Sequence, residues 1–574
     1  MKTSAILTNF TGGTFSPRLY GRVDLSKYYN ACRTIQNMIV HPHGGASRRF
    51  GTVYVAEIKT STDIARIIPF QFNVEQAYMM EFGHEYIRFY KDNGQIVSGV
   101  TPIEIASPYT TSLIGSIKYA QNADTMRIAE SHVHPRLLTR ASHVSWAIAS
   151  VVFTAQPAAW SAASGYPSSV ALYEQRAAYA GTSTLPQTIW LSATGNLDDM
   201  TTGVAADDSM DLTLDDNSSI LWMLASRYLS VGTAEAAWVV SSGATDEAIT
   251  PTKRKARRIA RYGSSSVPGI PVANAILFVQ RAGKKIRELI YDYIQDNFGD
   301  PPDLTIFAEH VTSVGIKAYA FQAEPDSILW CVLNDGTIAA FTYNKAQEIT
   351  AWHLHETEGS FEDVSVIPVS DHDQVWFIVN RTIGGATKRY IEYLAPGFGD
   401  TKADCWFVDS GLQYNGTGAS TVSGLDHLEG KTVSILADGA PEPNTTVVSG
   451  AITRSTTSSV VTVGLPFTSI LEPMDLETKE EGGSSQGKRK KIHSVMVRFY
   501  KTLGANIGSK VGNLDVVQFR TASDPMGYSP PLFTGDKTVP FPGGWDRHGY
   551  IRITQEQPLP MTVIAIEPVV NTGD

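Results

Sequence analysis

The chain has 574 residues, more than one hydrophobic core usually supports, so two or three domains are expected. Hydrophobic residues make up 43% and charged residues 18%, an ordinary globular balance that excludes wholesale disorder. The formal charge of -10, from 57 acidic and 47 basic residues, excludes a protein that coats nucleic acid by overall basicity, while leaving room for a local basic surface.

Residues 1–59 stand apart, with eight basic and two acidic residues, many glycines and few strand patterns before Thr52. That composition fits an extended arm lying on another surface better than a self-contained domain. The opening MKTSAILTNFTGG has no sustained apolar core and no small-residue cleavage site, so a secretory signal is not expected.

From residue 60 to 400, apolar alternation of period two dominates, as in half-buried strands. A strand, a tight polar turn and a second strand recur. The clearest copies are QAYMMEFGHEYIRFY from Gln76, AILFVQRAGKKIRELIY from Ala275 and ILWCVLNDGTIAAFTY from Ile328. Weaker copies begin at Lys118, Gln175, Leu221 and Gln374, so successive starts lie 42, 57, 46, 54, 53 and 46 residues apart. A period of about 40–55 residues matches one four-stranded propeller blade per repeat, although stacked sandwich hairpins share that spacing. Asn334-Asp335-Gly336 and Ala282-Gly283 supply turn residues tolerant of positive φ. The clearest helix candidate is Asp303–His310, with Asp303 placed to cap it after Pro301-Pro302. The most apolar stretch, Val144 to Phe153, is about half the length needed to cross a bilayer, and a soluble protein is expected.

Within this region, Lys253, Arg254, Lys255, Arg257, Arg258 and Arg261 form the sharpest charge feature, six cations in nine residues with no acid. The cluster suits a channel wall that attracts DNA phosphates, a contact with an acidic neighbour in a ring, or a solvated strand face, and charge alone does not choose among them.

Beyond Asp404 the turns are richer in Gly, Ser, Thr and Pro and the strands shorter, as at Lys431 to Leu436, Ser459 to Val463 and Val495 to Tyr500. Glu477 to Lys491, ETKEEGGSSQGKRKK, reads as an exposed loop. The fold class expected is mostly β: an extended N-terminal arm (1–59), a β-propeller core (60–400) and an additional C-terminal β-barrel or β-sandwich domain (401–574).

Chemistry-bearing motifs are weak. Cys32, Cys331 and Cys405 are odd in number and far apart, which suggests neither a disulfide framework nor a zinc site and fits folding in a reducing cytoplasm. Gly483-Ser-Ser485-Gln-Gly487 matches GxSxG but lacks the strand before and helix after that a nucleophile elbow needs. Gly430-Lys431-Thr432 has Leu425 where a phosphate loop needs its first glycine, and Gly416-Thr-Gly418 has Thr421 where a dinucleotide loop needs its third. The pairs His41/His43, His132/His134 and His353/His355 lack an evident third metal ligand. Asp198/Asp199 and Asp207/Asp208/Asp211 are candidates for acid–base work on glycans, yet the blade-turn motif and arginine triad of sialidase-type propellers are missing. No catalytic residue, cofactor or metal is expected.

The segment Asn9 to Thr52, NFTGGTFSPRLYGRVDLSKYYNACRTIQNMIVHPHGGASRRFGT, resembles the N-terminus of nozzle-type tail proteins of short-tailed, podovirus-like bacteriophages, also called tail tubular protein B or DNA stabilisation proteins. The resemblance rests on Gly12-Gly-x-x-Ser-Pro17, Tyr20-Gly-Arg-x-Asp24 and Pro42-x-Gly-Gly-x-x-Arg-Arg49. It extends to YPSSVALYEQRAAYAGTSTLPQTIWLSATGN from Tyr166, FTYNKAQEITAWHLHETEG from Phe341 and GLDHLEGKTVSILADG from Gly424. The resemblance implies a non-enzymatic structural protein of the virion tail, assembled in the host cytoplasm. It implies a propeller-bearing subunit, six copies of which surround a channel that retains packaged double-stranded DNA and conducts it during ejection. The expected partners are further copies of the chain, the adaptor or tail tubular ring protein, tail fibres or spikes, the DNA and the host cell surface. Arg18, Tyr20, Arg22, Asp24, Arg48 and Arg49 become candidates for assembly contacts. Two rival readings are a propeller glycan hydrolase acting on the host surface and a fibre-anchoring or receptor-binding tail module.

Overall fold

A computed structural model of the chain describes every residue except 1, 5, 216, 245–246, 293–296, 400, 478–483, 511, 526 and 574. Strands dominate, and the helical turns among the described residues are short 3-10 segments.

Seven antiparallel sheets follow one another along the described chain, each starting a new blade. Their first strands are Arg66–Gln71, Lys118–Asn122, Ser169–Tyr173, Ile220–Ala225, Ile270–Val272, Ile316–Gln322 and Ser360–Val369. Residues from all seven first strands line one shared cavity, so the sheets are arranged around a common axis. This is a closed β-propeller rather than a stack of hairpins.

Blade 7 holds three strands from the late chain, Ser360–Val369, His372–Ile383 and Ala386–Leu394. Its fourth strand is Thr52–Glu57, paired antiparallel so that Tyr390 faces Glu57 and Leu394 faces Thr52. Residues more than three hundred positions apart thus complete one sheet. The ring also closes through Asp363, whose carboxylate accepts the Ile67 N–H at 2.9 Å, joining blade 7 to blade 1. Aromatic side chains fill the spaces between blades. Trp146 of blade 2 stacks on Phe89 of blade 1 with centroids 4.3 Å apart, and Trp376 of blade 7 lies 6.2 Å from Tyr90 of blade 1. Truncating such a ring to alanine costs about 3–5 kcal/mol, so these contacts resist opening of the ring.

The expected arm over 1–59 is instead built into the sheets. Ala31–Gln36 pairs antiparallel with Ser469–Pro473 and meets the last strand of blade 6 in parallel at Gln36 and Leu354. Ser469–Pro473 then continues to Arg552–Gln555 and Asn506–Lys510. A second sheet carries Met38–Val40, Ala46–Arg48, Thr562–Gly573, Arg489–Thr502 and Phe533–Pro540 in that order. The two sheets enclose a core that includes Cys32, Ile35, Val40, Leu471, Val497 and Val563, a β-sandwich with strands from both ends of the chain.

Residues 401–574 are likewise continuous with the propeller. Asp409–Ser423 joins the sheet of blade 7 beside Thr52–Glu57, with Gly411 opposite Val53, and pairs with Ala451–Leu465 over a smaller core of its own. The N-terminal segment is therefore a weld between propeller and sandwich. Two glycines show how tightly it is threaded. A Cβ on Gly13, whose φ is +68°, would lie 2.3 Å from the Trp352 nitrogen. A Cβ on Gly51 would lie 1.8 Å from the Val408 carbonyl oxygen.

The helix expected over Asp303–His310 is absent. Asp303 accepts the Thr305 N–H at 2.9 Å and the Thr305 hydroxyl at 2.6 Å, and Lys285 approaches it at 2.7 Å. Successive three-residue turns follow, Ala308 N–H to Thr305 O and Val311 N–H to Ala308 O, each at 2.9 Å. The aspartate that suits a helix cap satisfies a local turn equally well, and tertiary contacts decided the outcome.

Candidate functional site

The axial cavity has a volume of about 500 Å³. Its charged lining comes from Arg66 of blade 1, Lys118 of blade 2, Lys317 of blade 6, and Glu362 and Asp363 of blade 7. Lys118 is 8% exposed, and its ammonium donates to the Ser266 carbonyl at 2.8 Å, just before blade 5 and across the axis from blade 2. Arg66 Nη1 donates to the Ile117 carbonyl at 2.7 Å, beside Lys118. Burial, with the like charge of Arg66 beside it, lowers the Lys118 ammonium to about 7. Asp363 is shifted upward by burial, against the pull of Arg66. A buried ammonium that titrates near neutrality in a cavity is a functional-site signature. Sequence periodicity carried no sign of it, because inner strands are read only as apolar alternation.

The basic cluster lies elsewhere. Lys255–Ala260 is the fourth and outermost strand of blade 4, so these cations sit on the rim of the propeller and not at its axis. Lys253, Arg254, Lys255, Arg257, Arg258 and Arg261 are exposed. Lys253 meets Glu247 at 2.8 Å, Arg254 lies 3.7 Å from Asp211, and Arg258 covers the Trp238 ring at 5.7 Å. Lys255 and Arg257 point to the opposite face, into a groove of about 190 Å³ shared with Tyr228, Tyr291 and Phe298. The rings of Tyr228 and Tyr291 lie 5.3 Å apart, as do those of Tyr291 and Phe298, and the Arg227 guanidinium lies 5.4 Å from the Tyr291 ring. Cations over aromatic faces suit an anionic chain with flat groups, and charges along an outer strand also keep it from pairing edge to edge with another sheet.

The six candidates for assembly contacts divide into two groups. Arg18 is exposed and pairs with Glu309 at 2.9 Å, and Arg22 and Asp24 form an exposed pair at 2.7 Å. Tyr20 lies over the Arg33 guanidinium at 4.2 Å. Arg48 and Arg49 are buried at 1% and 2% exposure and do not reach a partner surface. Arg48 donates to the carbonyls of Leu559 at 3.1 Å and Phe467 at 2.6 Å, and also to that of Gln557. Arg49 holds Asp409 through two hydrogen bonds of 2.7 Å and donates to Asn37 Oδ1 at 3.0 Å. In sequence an arginine pair reads as surface. Here the carbonyls and the carboxylate brought by residues 409–559 compensate the buried charges.

The remaining motifs have local structural roles. His353 and His355 are buried and bonded to each other at 2.7 Å. Thr342 donates its hydroxyl to the Val40 carbonyl at 2.8 Å, so it accepts from His353 Nε2–H at 3.1 Å. His353 Nδ1 then accepts from His355 Nε2–H. His41 bonds Asp326 at 2.8 Å and Ser47 at 2.6 Å, and His134 bonds Gln156 at 2.9 Å. Asp198 pairs with Arg127 at 2.7 Å, Asp199 accepts the Thr201 N–H at 2.9 Å, and Asp208 accepts the Ala205 N–H at 2.9 Å. Lys431 pairs with Glu358 at 2.6 Å. Ser485 is buried against Glu477, and Gly483 and part of the Glu477–Lys491 loop lie outside the described residues. Among the described residues, no three His, Cys, Asp or Glu side chains are grouped as a metal site would require.

The sheet order and shared axial cavity define a mostly β protein built on a β-propeller. No family model matches the chain, and no curated protein sequence does. The structure is similar to the WD40 domain of Pan2 from Neurospora crassa, with a TM-score of 0.34 and 9% identity over 61% of this chain and 96% of that one. It is also similar to YCF48 bound to D1 peptide, with a TM-score of 0.36 and 11% identity over 64% of this chain and 100% of that one.

Proposed function

We propose that this chain is a structural subunit of a phage tail nozzle, which works by shape and without bond chemistry. Six copies form a ring around a channel that retains packaged DNA and conducts it at infection. The observation that carries this reading concerns the segment with the resemblance to nozzle proteins, Asn9 to Thr52. It is also the segment that welds propeller to sandwich, through Gly13 beneath Trp352 and Arg49 on Asp409. A propeller fused by continuous sheets to a sandwich is a stiff wedge, and stiff wedges close a ring through one repeated heterologous contact.

In this reading the exposed Arg18, Arg22 and Asp24 and the half-buried Tyr20 lie on assembly surfaces, and the rim cations of blade 4 face an acidic neighbour or the DNA. The adaptor ring, fibres or spikes and the host surface are the further partners. Receptor contact opens the channel by biasing one packing of the ring over another. Electron microscopy of the purified protein and of tails that contain it tests the proposal. A six-fold ring with a central hole is expected; a monomer, or a trimer without a pore, rules it out.

A further inference from the structure

The axial cavity encloses a buried cation, Lys118, without the acidic partner that other buried charges in this chain possess. Arg49 has Asp409, Arg381 has Glu392 and Arg389 has Glu362, each as a close ion pair. Among the described residues, the Lys118 ammonium bonds the Ser266 carbonyl, which uses one of its three donors. Its charged neighbour is Arg66, of like sign. The Arg66 bonds to Ile114 and Ile117 both start from Nη1, so they fix the guanidinium and leave Nε and Nη2 out of those contacts.

The acids of the cavity have further partners, and Asp363 also feels the charges of Arg66 and Lys317. Glu362 accepts from Arg389 and from Asn380, and Asp363 accepts the Ile67 N–H. Tyr319 donates its hydroxyl to the Pro268 carbonyl at 2.6 Å. Tyr119, on the same strand as Lys118, and Lys317, across the axis, complete the titratable groups that face the cavity. A buried ammonium beside a half-buried guanidinium is costly unless an anion joins them.

We propose that the cavity at the propeller axis binds a small inorganic oxyanion, held between the Lys118 ammonium and the Arg66 guanidinium. A cavity of about 500 Å³ accommodates a tetrahedral oxyanion together with several of its waters. Binding draws a proton onto Lys118. Burial and Arg66 favour the neutral amine, with a value of about 7, and a bound anion favours the charged form. Tyr119 and Tyr319, raised by burial, stay neutral over the same range. Anion binding in this cavity does not depend on the assembly the chain enters.

Sulfate is the probe, because its own charge is constant between pH 6 and 8. Calorimetric titration of the full-length protein at constant ionic strength, balanced with chloride, should show one site. Only the ammonium form binds, so the apparent affinity should rise about tenfold from pH 8 to pH 6. Lys118→Met should lose the binding. Lys118→Arg, which keeps its charge throughout, should bind sulfate with no pH dependence, and thermal melting of both variants reports their folding. No saturable binding by the wild type overturns the proposal. So does equal affinity at pH 6 and 8, or a Lys118→Arg variant that folds but does not bind.

Discussion

Arg49 and Asp409, 360 positions apart, form a two-pronged ion pair in which both hydrogen bonds are 2.7 Å long and neither side chain is more than 2% exposed. This pair fastens the N-terminal weld to the strand that leaves blade 7. Asp409 also accepts the Thr52 N–H at 3.2 Å, so one carboxylate serves both the arginine and the start of the strand that closes the propeller.

Removing one partner leaves an uncompensated buried charge, which costs about 3–5 kcal/mol. Arg49→Met and Asp409→Asn are each expected to lower the urea midpoint strongly, and the double variant should lose less than the sum of the two. Pairing with Arg49 holds the Asp409 carboxyl below its ordinary 3.8 despite burial. Its contribution is therefore fully present above the unfolded value and disappears as pH falls through the folded one. Acid unfolding of Asp409→Asn should lack that step.

The His353–His355 pair predicts a loss of stability on mild acidification. Burial lowers His353 to about 3, and burial with His353 beside it also holds His355 well below its ordinary 6.5. Between those values the unfolded chain binds more protons than the folded one, so stability decreases as pH falls below 6.5. For His353 alone this amounts to about 2 kcal/mol by pH 5. His353→Gln can keep the donor to Thr342 and the acceptor for His355 while removing the titration. Its urea midpoint should depend less steeply on pH between 6.5 and 5.

Closure by Thr52–Glu57 predicts that the propeller is not separable at residue 60. A chain beginning there lacks this strand and the Lys388–Glu57 ion pair of 2.8 Å, and it leaves Ala386–Leu394 as an open edge. Size-exclusion chromatography should show aggregation, and a chain beginning at residue 50 should recover part of the cooperative melting. Monomeric, fully cooperative behaviour of the shorter chain would contradict the role given to this strand.

Gly51→Ala tests the same weld without deleting a strand. The added methyl meets the Val408 carbonyl at a distance no side-chain rotation relieves. A loss above about 3 kcal/mol is expected, because one backbone must move away from another. Thermal melting compared with Gly544→Ala, an exposed position where the added methyl meets open space, reads the difference.

Charge reversal on the rim of blade 4 should act on association and leave folding intact. Lys255→Glu with Arg257→Glu alters exposed side chains, so its stability should stay within about 0.5 kcal/mol of the parent chain. Where the groove binds DNA, the dependence of log affinity on log salt should become shallower by about 0.9 for each phosphate that the variant no longer neutralises. On the proposed nozzle function, phage carrying the change should then lose or eject its genome abnormally. Unchanged affinity, salt slope and genome retention count against DNA binding by this face.

Period-two alternation and turn residues such as Asn334-Asp335-Gly336 are local signals, and by themselves they determined a mostly β chain of recurring hairpins. They did so because side chains on a strand alternate between faces, and because a turn at Gly336, where φ is +84°, suits glycine. The tertiary structure alone decided which of those strands face the axis and that Thr52–Glu57 closes the seventh blade. It alone decided that Arg48 and Arg49 are interior and that Lys118 is enclosed in the cavity. Pairings such as Tyr390 with Glu57 join residues whose local sequences carry no trace of one another. A charged side chain has the same letter in water as in a core, and its meaning depends on the groups that distant parts of the chain bring to it.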